Sequence, residues 1–420
     1  MGMDKIIVKG GKTLKGDVRI SGAKNSTLPL MAASILCPEE VRLSGVPTLR
    51  DIETMKRLLM GLGIQITGPE NGRMVLKAEK ISNTEASYDL VRTMRASFLI
   101  LGPLLARMKK ARVSLPGGCA IGARPIDLHL KGLAALGADI ELQDGYIKAE
   151  ASRLSGANIS LDVTTVTGTE NLIMAACLAR GRTLIENAAR EPEVVELATV
   201  LNSMGARISG MGSDKIVIDG VEKLCGIDHS IMPDRIETGT YMIASAITGG
   251  NVRILNGNPG HLDAVISKLR EAGTKIECGD GTIELEGPAK PGAVDVRTSP
   301  YPGFPTDLQA QFMSLMCVST GRSVISETVF ENRFIHVGEL KRMGADIRIE
   351  GNTAIVKGVK ELLGAPVMAT DLRASACLIL AGLAAEGSTE VSRVYHLDRG
   401  YERIVEKLRG LGADIERTKE

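Results

Sequence analysis

Long apolar runs are missing from this 420-residue chain. The longest, Phe98 to Ala106, is far too short to span a bilayer. Met1 to Lys15 holds lysines and glycines but no apolar core of a secretion signal. Net charge is almost absent. Fifty-one Lys and Arg face 50 Asp and Glu, giving +1, so no long-range field draws the chain to nucleic acid or a membrane. Cysteines number seven, an odd count, and none forms a CxxC pair. That excludes a disulfide framework and points to a reducing compartment. The five histidines (129, 229, 261, 336 and 396) lie far apart, with no HxxxH or HExxH, so no metal site is indicated. GxxxxGK[ST] and a strand-bound GxGxxG are also missing, which removes the commonest nucleotide-binding loops. The expectation is a cytoplasmic protein with no metal and no nucleic-acid or membrane partner. No obligate protein partner is indicated.

What the chain does have is repetition. A phrase resembling Leu-x-x-Leu-Gly-Ala-x-Ile recurs six times, with its glycine at 63, 137, 205, 273, 344 and 412, a spacing of 68 to 74 residues. Each copy opens on a small-residue helix: Leu28 to Ile35, Ser97 to Arg107, Glu170 to Ala179, Thr240 to Ile247, Gln309 to Val318 and Arg373 to Ala385. A β-rich run follows, then a loop, an amphipathic helix closed by the repeated glycine, and a hairpin such as Lys275 to Leu285 around Gly-Asp-Gly. A unit of about 70 residues cannot cover its own faces, and helices apolar all round need burial. The fold class is therefore α/β, with helices inside, sheets outside and three copies per domain. The sixth copy stops short of its last strands, and the N-terminus supplies a matching pair, Lys5 to Gly10 and Gly16 to Ile20. The expected domains are residues 22–230, and residues 231–420 completed by residues 1–21. Two crossings between domains imply a hinge and a cleft.

The loops that enter the inner helices are polar or charged in every copy. Buried helix N-termini offer unpaired N–H groups and partial positive charge, which suit anions. Ser26, Asp307 and Asp371 read equally well as N-caps. Capping does not account for Lys24, Arg95 and Arg373, whose charge is wrong for that place unless an anion sits there. A second set of equivalent loops carries Arg124, Arg190, Arg333, Arg393 and Arg399. One of them, Ser114 to His129, also holds Cys119 among three glycines and two prolines. A thiol beside an arginine and near a helix N-terminus has its thiolate favoured. These residues alone describe an enzyme or binding protein for a polyanionic small molecule, with Cys119 as acid or nucleophile and Asp307 as base.

Eight motifs then carry a resemblance, in order and end to end. They are Gly22-Ala-Lys-Asn-Ser26, Leu115-Pro-Gly-Gly-Cys119, Gly122-Ala-Arg-Pro-Ile-Asp-Leu-His129, Pro233-Asp-Arg-Ile-Glu-Thr-Gly239, Phe304-Pro-Thr-Asp307, Thr328-Val-Phe-Glu-Asn-Arg333, Thr370-Asp-Leu-Arg-Ala-Ser375 and Asp398-Arg-Gly-Tyr-Glu-Arg403. Together they resemble the UDP-N-acetylglucosamine enolpyruvyl transferase family, of the EPSP synthase superfamily. The resemblance implies a two-domain inside-out α/β barrel. It also implies bacterial cytoplasmic peptidoglycan synthesis from phosphoenolpyruvate and UDP-N-acetylglucosamine, with no metal or organic cofactor.

By that resemblance Lys24, Asn25, Arg124, Arg373 and Arg399 would hold phosphoenolpyruvate. Cys119 would protonate C3 and could be trapped as a thioketal adduct. Asp307 would take the proton of the sugar hydroxyl. Lys24 and Arg399 would share in catalysis. Arg95, Arg124, Pro125, Ile126, Asp127, Leu128, Val163, Thr164, Thr165, Val166, Asp307 and Val329 would contact the nucleotide sugar. Many members carry a lysine where this chain has Val163. Two other readings remain: the sister enolpyruvyl transferase of the shikimate pathway, and a non-catalytic paralogue that senses the nucleotide sugar. The remaining six cysteines (37, 177, 225, 278, 317 and 377) lie in apolar or strand contexts and read as structural.

Overall fold

The computed structural model describes residues 4–115 and 126–419. Within these, the chain divides into two compact units. The first holds residues 22–115 and 126–232; the second holds residues 4–21 and 233–419. Each has its own apolar core.

Six inner helices carry those cores. In the first unit they are α1 (Lys24–Ala33), α2 (Leu101–Met108) and α3 (Val166–Ala176). In the second they are α4 (Arg235–Ile247), α5 (Gln309–Cys317) and α6 (Leu372–Ala384). All nine residues of α5 are buried, as is every residue of α6 from Arg373 to Leu383. Helices this short are marginal alone; they persist because every face is packed. In the second unit α4, α5 and α6 pack on one another, and in the first α2 packs on α3. The small-residue composition permits that close approach.

Around them, among the described residues, stand six four-stranded sheets with one shared plan. A lead strand runs parallel to a central strand, which pairs antiparallel with the second arm of a hairpin, whose first arm forms the edge. In one sheet these are Asn158–Ser160, Arg182–Glu186, Lys215–Asp219 and Arg207–Ser209. Alternate residues of the central strand, Thr183 and Ile185, face the helices while Arg182, Leu184 and Glu186 face out. An amphipathic helix lies under each hairpin. Arg50–Gly61, for example, buries Ile52, Met55, Leu58 and Leu59 on one face. The repeated glycines that end these helices all have φ between 89° and 105°, which explains why glycine recurs there.

The N-terminal strands do not stay together. β1 (Asp4–Lys9) lies between Ser388–Ser392 and Asp414–Lys419 in the sixth sheet. β2 (Lys15–Arg19) leads the fourth sheet, parallel to Asn251–Leu255. In the first unit the same closing part is played from the other end, where Ile227–Ser230 leads the sheet of Glu40–Ser44.

Three local expectations need correction. Helix α1 begins at Lys24 rather than Leu28, because polar Lys24 to Thr27 already make its first turn. Residues Arg95–Ile100 form a 3-10 segment ahead of α2 rather than part of one continuous helix. Cys225 and Cys278 are exposed, because Cys225 lies in the loop ahead of Ile227–Ser230 and Cys278 ends the edge strand Lys275–Cys278, while Cys37, Cys177, Cys317 and Cys377 are buried.

Candidate active site

The richest polar cluster of the second unit is built around Asp307. This residue sits in the 3-10 turn Thr306–Leu308 that leads into α5, and its carboxylate does not cap the helix. Instead Oδ1 accepts from Arg333 at 2.9 Å and Oδ2 from Arg373 at 2.7 Å. Both guanidinium side chains are nearly sealed (3% and 6% exposed), whereas Asp307 is 28% exposed. Two buried cations thus fix both oxygens of a carboxylate that a ligand can still reach. Charge-assisted bonds of this kind are about twice as strong as neutral ones, so the orientation is well held. Burial opposes the charge on Arg373, but Asp307, Tyr401 and Asp234 outweigh it and its pKa is raised. Beneath the cluster, Gln311 donates to the Asp307 carbonyl and to the Tyr401 hydroxyl, both at 3.0 Å, and Tyr401 meets Thr240 at 2.9 Å. All three inner helices of that unit therefore carry polar residues at their N-terminal thirds.

The neighbouring loop is tied to the same turn. Glu327 is buried, and its Oε2 accepts from Thr306 at 2.8 Å. Its Oε1 accepts from Thr298 and from the N–H groups of Val329 and Phe330 at 2.9, 2.8 and 3.2 Å. Val329, expected at the nucleotide sugar, stands 38% exposed on this loop. Arg399 ends the 3-10 turn Val394–Arg399 and is half-buried.

In the first unit, Lys24 opens α1 and its Nζ lies 3.3 Å from Asp51. Asp51 stands in the first turn of Arg50–Gly61, where its charge suits the helix dipole. Asn25 follows, half-buried. Arg95 opens the 3-10 segment before α2. Close by, His129 is buried, its ring edge-on to Phe98 at 5.1 Å. Asn171 of α3 ties these parts together. Its Oδ1 accepts from Gly102 at 2.7 Å, so its Nδ2 donates, to Phe98 O at 3.3 Å and to His129 Nδ1 at 3.0 Å. His129 Nδ1 must then be an acceptor, which leaves the imidazole neutral with its proton on Nε2, facing Thr167 at 3.4 Å. Burial and the nearby Arg95 agree, pushing the His129 pKa down to about 3. Ile126 and Asp127 open the helix Asp127–Ala135, and Leu128 is half-buried on it. Thr165 caps α3 by accepting from Gly168 at 3.2 Å, Val166 is that helix's first residue, and Thr164 donates to Asn187 at 2.8 Å. Val163 is 65% exposed. Cys119, Arg124 and Pro125 lie outside the described residues.

Of the three residues that read as N-caps, only Asp371 is one, accepting from the N–H groups of Arg373 and Ala374. Ser26 is inside α1 and Asp307 faces arginines.

A family model for EPSP synthase (3-phosphoshikimate 1-carboxyvinyltransferase) matches residues 8–408. Chains named UDP-N-acetylglucosamine 1-carboxyvinyltransferase from Geobacter metallireducens and Geotalea uraniireducens are 61% and 62% identical over 419 residues, 100% of both chains in each pair. The chain belongs to the UDP-N-acetylglucosamine 1-carboxyvinyltransferase family. The family is one of enzymes, so this chain is an enzyme, and its fold is that of enolpyruvyl transferases. The solved enolpyruvyl transferase NikO from Streptomyces tendae superposes with a TM-score of 0.89 at 26% identity over 100% of both chains. An EPSP synthase from Acinetobacter baumannii gives 0.78 at 19% identity over 99% of this chain and 100% of that one, a likeness of fold alone. The inside-out arrangement of helices and sheets in each unit accords with that family. Among the described residues no helix is long and apolar enough to cross a membrane.

Sequence reasoning passed over the partners. Asp51, Glu327, Asn171 and Gln311 were not singled out, and Arg333 appeared only as one loop arginine among several. Glu327 directly precedes a family motif, and Asp51 follows Arg50 in a helix start; those were the available signals.

Proposed function

We propose that this enzyme transfers the enolpyruvyl group of phosphoenolpyruvate to the 3-hydroxyl of UDP-N-acetylglucosamine, as the committed step of bacterial peptidoglycan synthesis in the cytoplasm. The observation that carries this reading is the full-length identity of 59–62% to four curated chains of one name.

In this reading the sugar O3 attacks C2 of phosphoenolpyruvate while its proton passes to Asp307 and Cys119 protonates C3, giving a tetrahedral ketal. The C2–O bond to phosphate then breaks and C3 loses a proton, leaving the enol ether and inorganic phosphate. Asp307 suits the base role because both of its oxygens are oriented by arginines and one face is open. Lys24, Asn25, Arg124, Arg373 and Arg399 would bear the phosphate and carboxylate charges, Arg373 from behind Asp307. Fixed cations of this kind stabilise charge that shifts along the reaction. Arg95, the stretch Arg124 to Leu128, Val163 to Val166 and Val329 would receive the nucleotide sugar. The domains would be the two units, residues 22–230 and 231–420 with 1–21, each carrying members of both sets.

The test is phosphate release from phosphoenolpyruvate with UDP-N-acetylglucosamine, run beside shikimate 3-phosphate. Release with the nucleotide sugar alone is expected. Release with shikimate 3-phosphate alone would replace this reading by the sister enzyme, and nucleotide-sugar binding without release would replace it by a sensor. Cys119→Ala is expected to abolish turnover and Cys119→Asp, which keeps an acid, to retain some. Wild-type turnover by Cys119→Ala would remove the thiol from the mechanism.

A further inference from the structure

We infer that Glu327 is a positioning residue that sets the catalytic base and the nucleotide-sugar loop in one register, an inference that rests on the function proposed above. Its carboxylate is buried in the second unit and accepts four hydrogen bonds, from the hydroxyls of Thr298 and Thr306 and from the N–H groups of Val329 and Phe330. All four donors are neutral. A carboxylate buried without a cation in its hydrogen-bonded set is costly unless its lone pairs are filled, and here they are filled. No single backbone need explains that outlay. A serine or threonine would satisfy the two N–H groups of the turn. Only a forked acceptor spans from the turn at Val329 to the residue next to Asp307.

The placement shows what the fork connects. Oε2 holds Thr306, the neighbour of Asp307, while Oε1 holds the loop of Val329. Four residues beyond Val329, Arg333 returns to bond Asp307 itself, with its guanidinium 5.3 Å from the Phe330 ring. The segment Glu327–Arg333 thus grips the Thr306–Asp307 pair at both ends. Thr298 locks the other side, because its hydroxyl donates to Glu327 and also accepts from the Thr328 N–H at 2.9 Å, while its carbonyl accepts from the Thr328 hydroxyl at 2.6 Å. If the fork is lost, Asp307 and Val329 can drift independently. Misplacement of a reacting group by about 1 Å costs on the order of 100-fold in rate.

The experiment uses the full-length enzyme and measures kcat and the KM of each substrate, with thermal unfolding alongside. Glu327→Ala is expected to lower kcat about 100-fold and to raise KM for UDP-N-acetylglucosamine, with KM for phosphoenolpyruvate little changed. Glu327→Gln should recover most of this. Its carbonyl can replace Oε1, and its amide can donate to Thr306, whose hydroxyl turns round. Thr306→Val, which cuts only the link to Asp307, should lower kcat and leave KM for the nucleotide sugar unchanged. It also keeps the inference testable if Glu327→Ala does not fold. Wild-type kcat and KM in Glu327→Ala would overturn the inference, as would equal damage from Gln and Ala, or wild-type kcat in Thr306→Val. A wild-type enzyme that releases no phosphate with either acceptor would instead overturn the functional reading on which it rests.

Discussion

The six inner helices begin in two different ways. Helices α3, α4 and α6 are capped by side chains: Thr165, Asp234 and Asp371 accept from their first N–H groups. Helix α1 and the 3-10 leads of α2 and α5 have no side-chain cap. Lys24 and Asn25, Arg95 and Asp307 belong to these uncapped starts. A cap satisfies the donors of a helix start within the chain. An uncapped start leaves that task to groups other than a capping side chain. Pseudo-symmetric positions thus divide into side-chain-capped starts and starts that carry residues proposed above to face substrate. Thr165 and Arg373 stand across that division: Thr165 is both a cap and an expected sugar contact, and Arg373 follows the cap Asp371 yet is an expected phosphoenolpyruvate contact.

The comparison can be broken by treating the two kinds of start alike. Asp307→Asn keeps the side chain's shape but removes the proposed base. We expect kcat to fall by about 100- to 10,000-fold with little change in melting temperature; a large stability loss with retained kcat would place Asp307 among the structural residues. The next effect is a pH dependence at the uncapped start of Arg95. His129 has a folded pKa of about 3 against 6.5 unperturbed. Above pH 6.5 it is neutral in both states and its environment contributes in full. As pH falls below 6.5, the unfolded chain gains a proton that the folded chain refuses. Stability should then drop by up to about 1.4 kcal/mol per pH unit toward pH 3. Urea unfolding at pH 7, 6, 5 and 4 should show that slope in the wild type and a shallower one in His129→Gln; identical slopes would contradict it.

Capped starts should behave in the opposite way. Asp234→Ala removes an acceptor of the Ile236 and Glu237 N–H groups. It should cost about 1 kcal/mol of unfolding free energy with turnover per folded molecule little changed. Loss of turnover without loss of stability would erase the distinction. The smallest effect is expected at Val163, 65% exposed ahead of α3. Val163→Lys supplies the lysine that the resemblance leads one to expect near the start of this segment, and an exposed ion pair contributes about 0.2–1 kcal/mol. KM for UDP-N-acetylglucosamine should fall by up to about fivefold; an unchanged value would mean that no phosphate lies near this position.

The repeat, the inner helices and the hairpins were legible because each rests on local chemistry. Glycine at the end of an amphipathic helix is required by a positive φ, and six such glycines mark the period. Helices without a polar face have nowhere to go but inside. What the sequence could not separate was Asp307 from Asp371. Both are aspartates ahead of a buried helix. One is a cap and the other a carboxylate between arginines, and the difference lies in Arg333 and Arg373, 26 and 66 residues away. Asn171 was hidden for the same reason, since its partners Gly102, Phe98 and His129 come from other elements. Exposure of Cys225 and Cys278 was illegible because one lies in a loop ahead of a strand and the other ends an edge strand, and local sequence marks neither place.

The position of β1 has a consequence for the order of synthesis. The first unit is closed by Ile227–Ser230 and can be completed while the rest of the chain is still being made. β1 is made well before both of its neighbours, Ser388–Ser392 and Asp414–Lys419. At about 5–20 residues per second, it waits roughly 20 to 80 s with both edges unpaired. Its lysines near both ends, Lys5 and Lys9, and its short length (Asp4–Lys9) are features that discourage a strand from pairing with a neighbouring nascent chain. The chain thus carries a strand that has to stay soluble until both of its partner strands, far downstream, have been made.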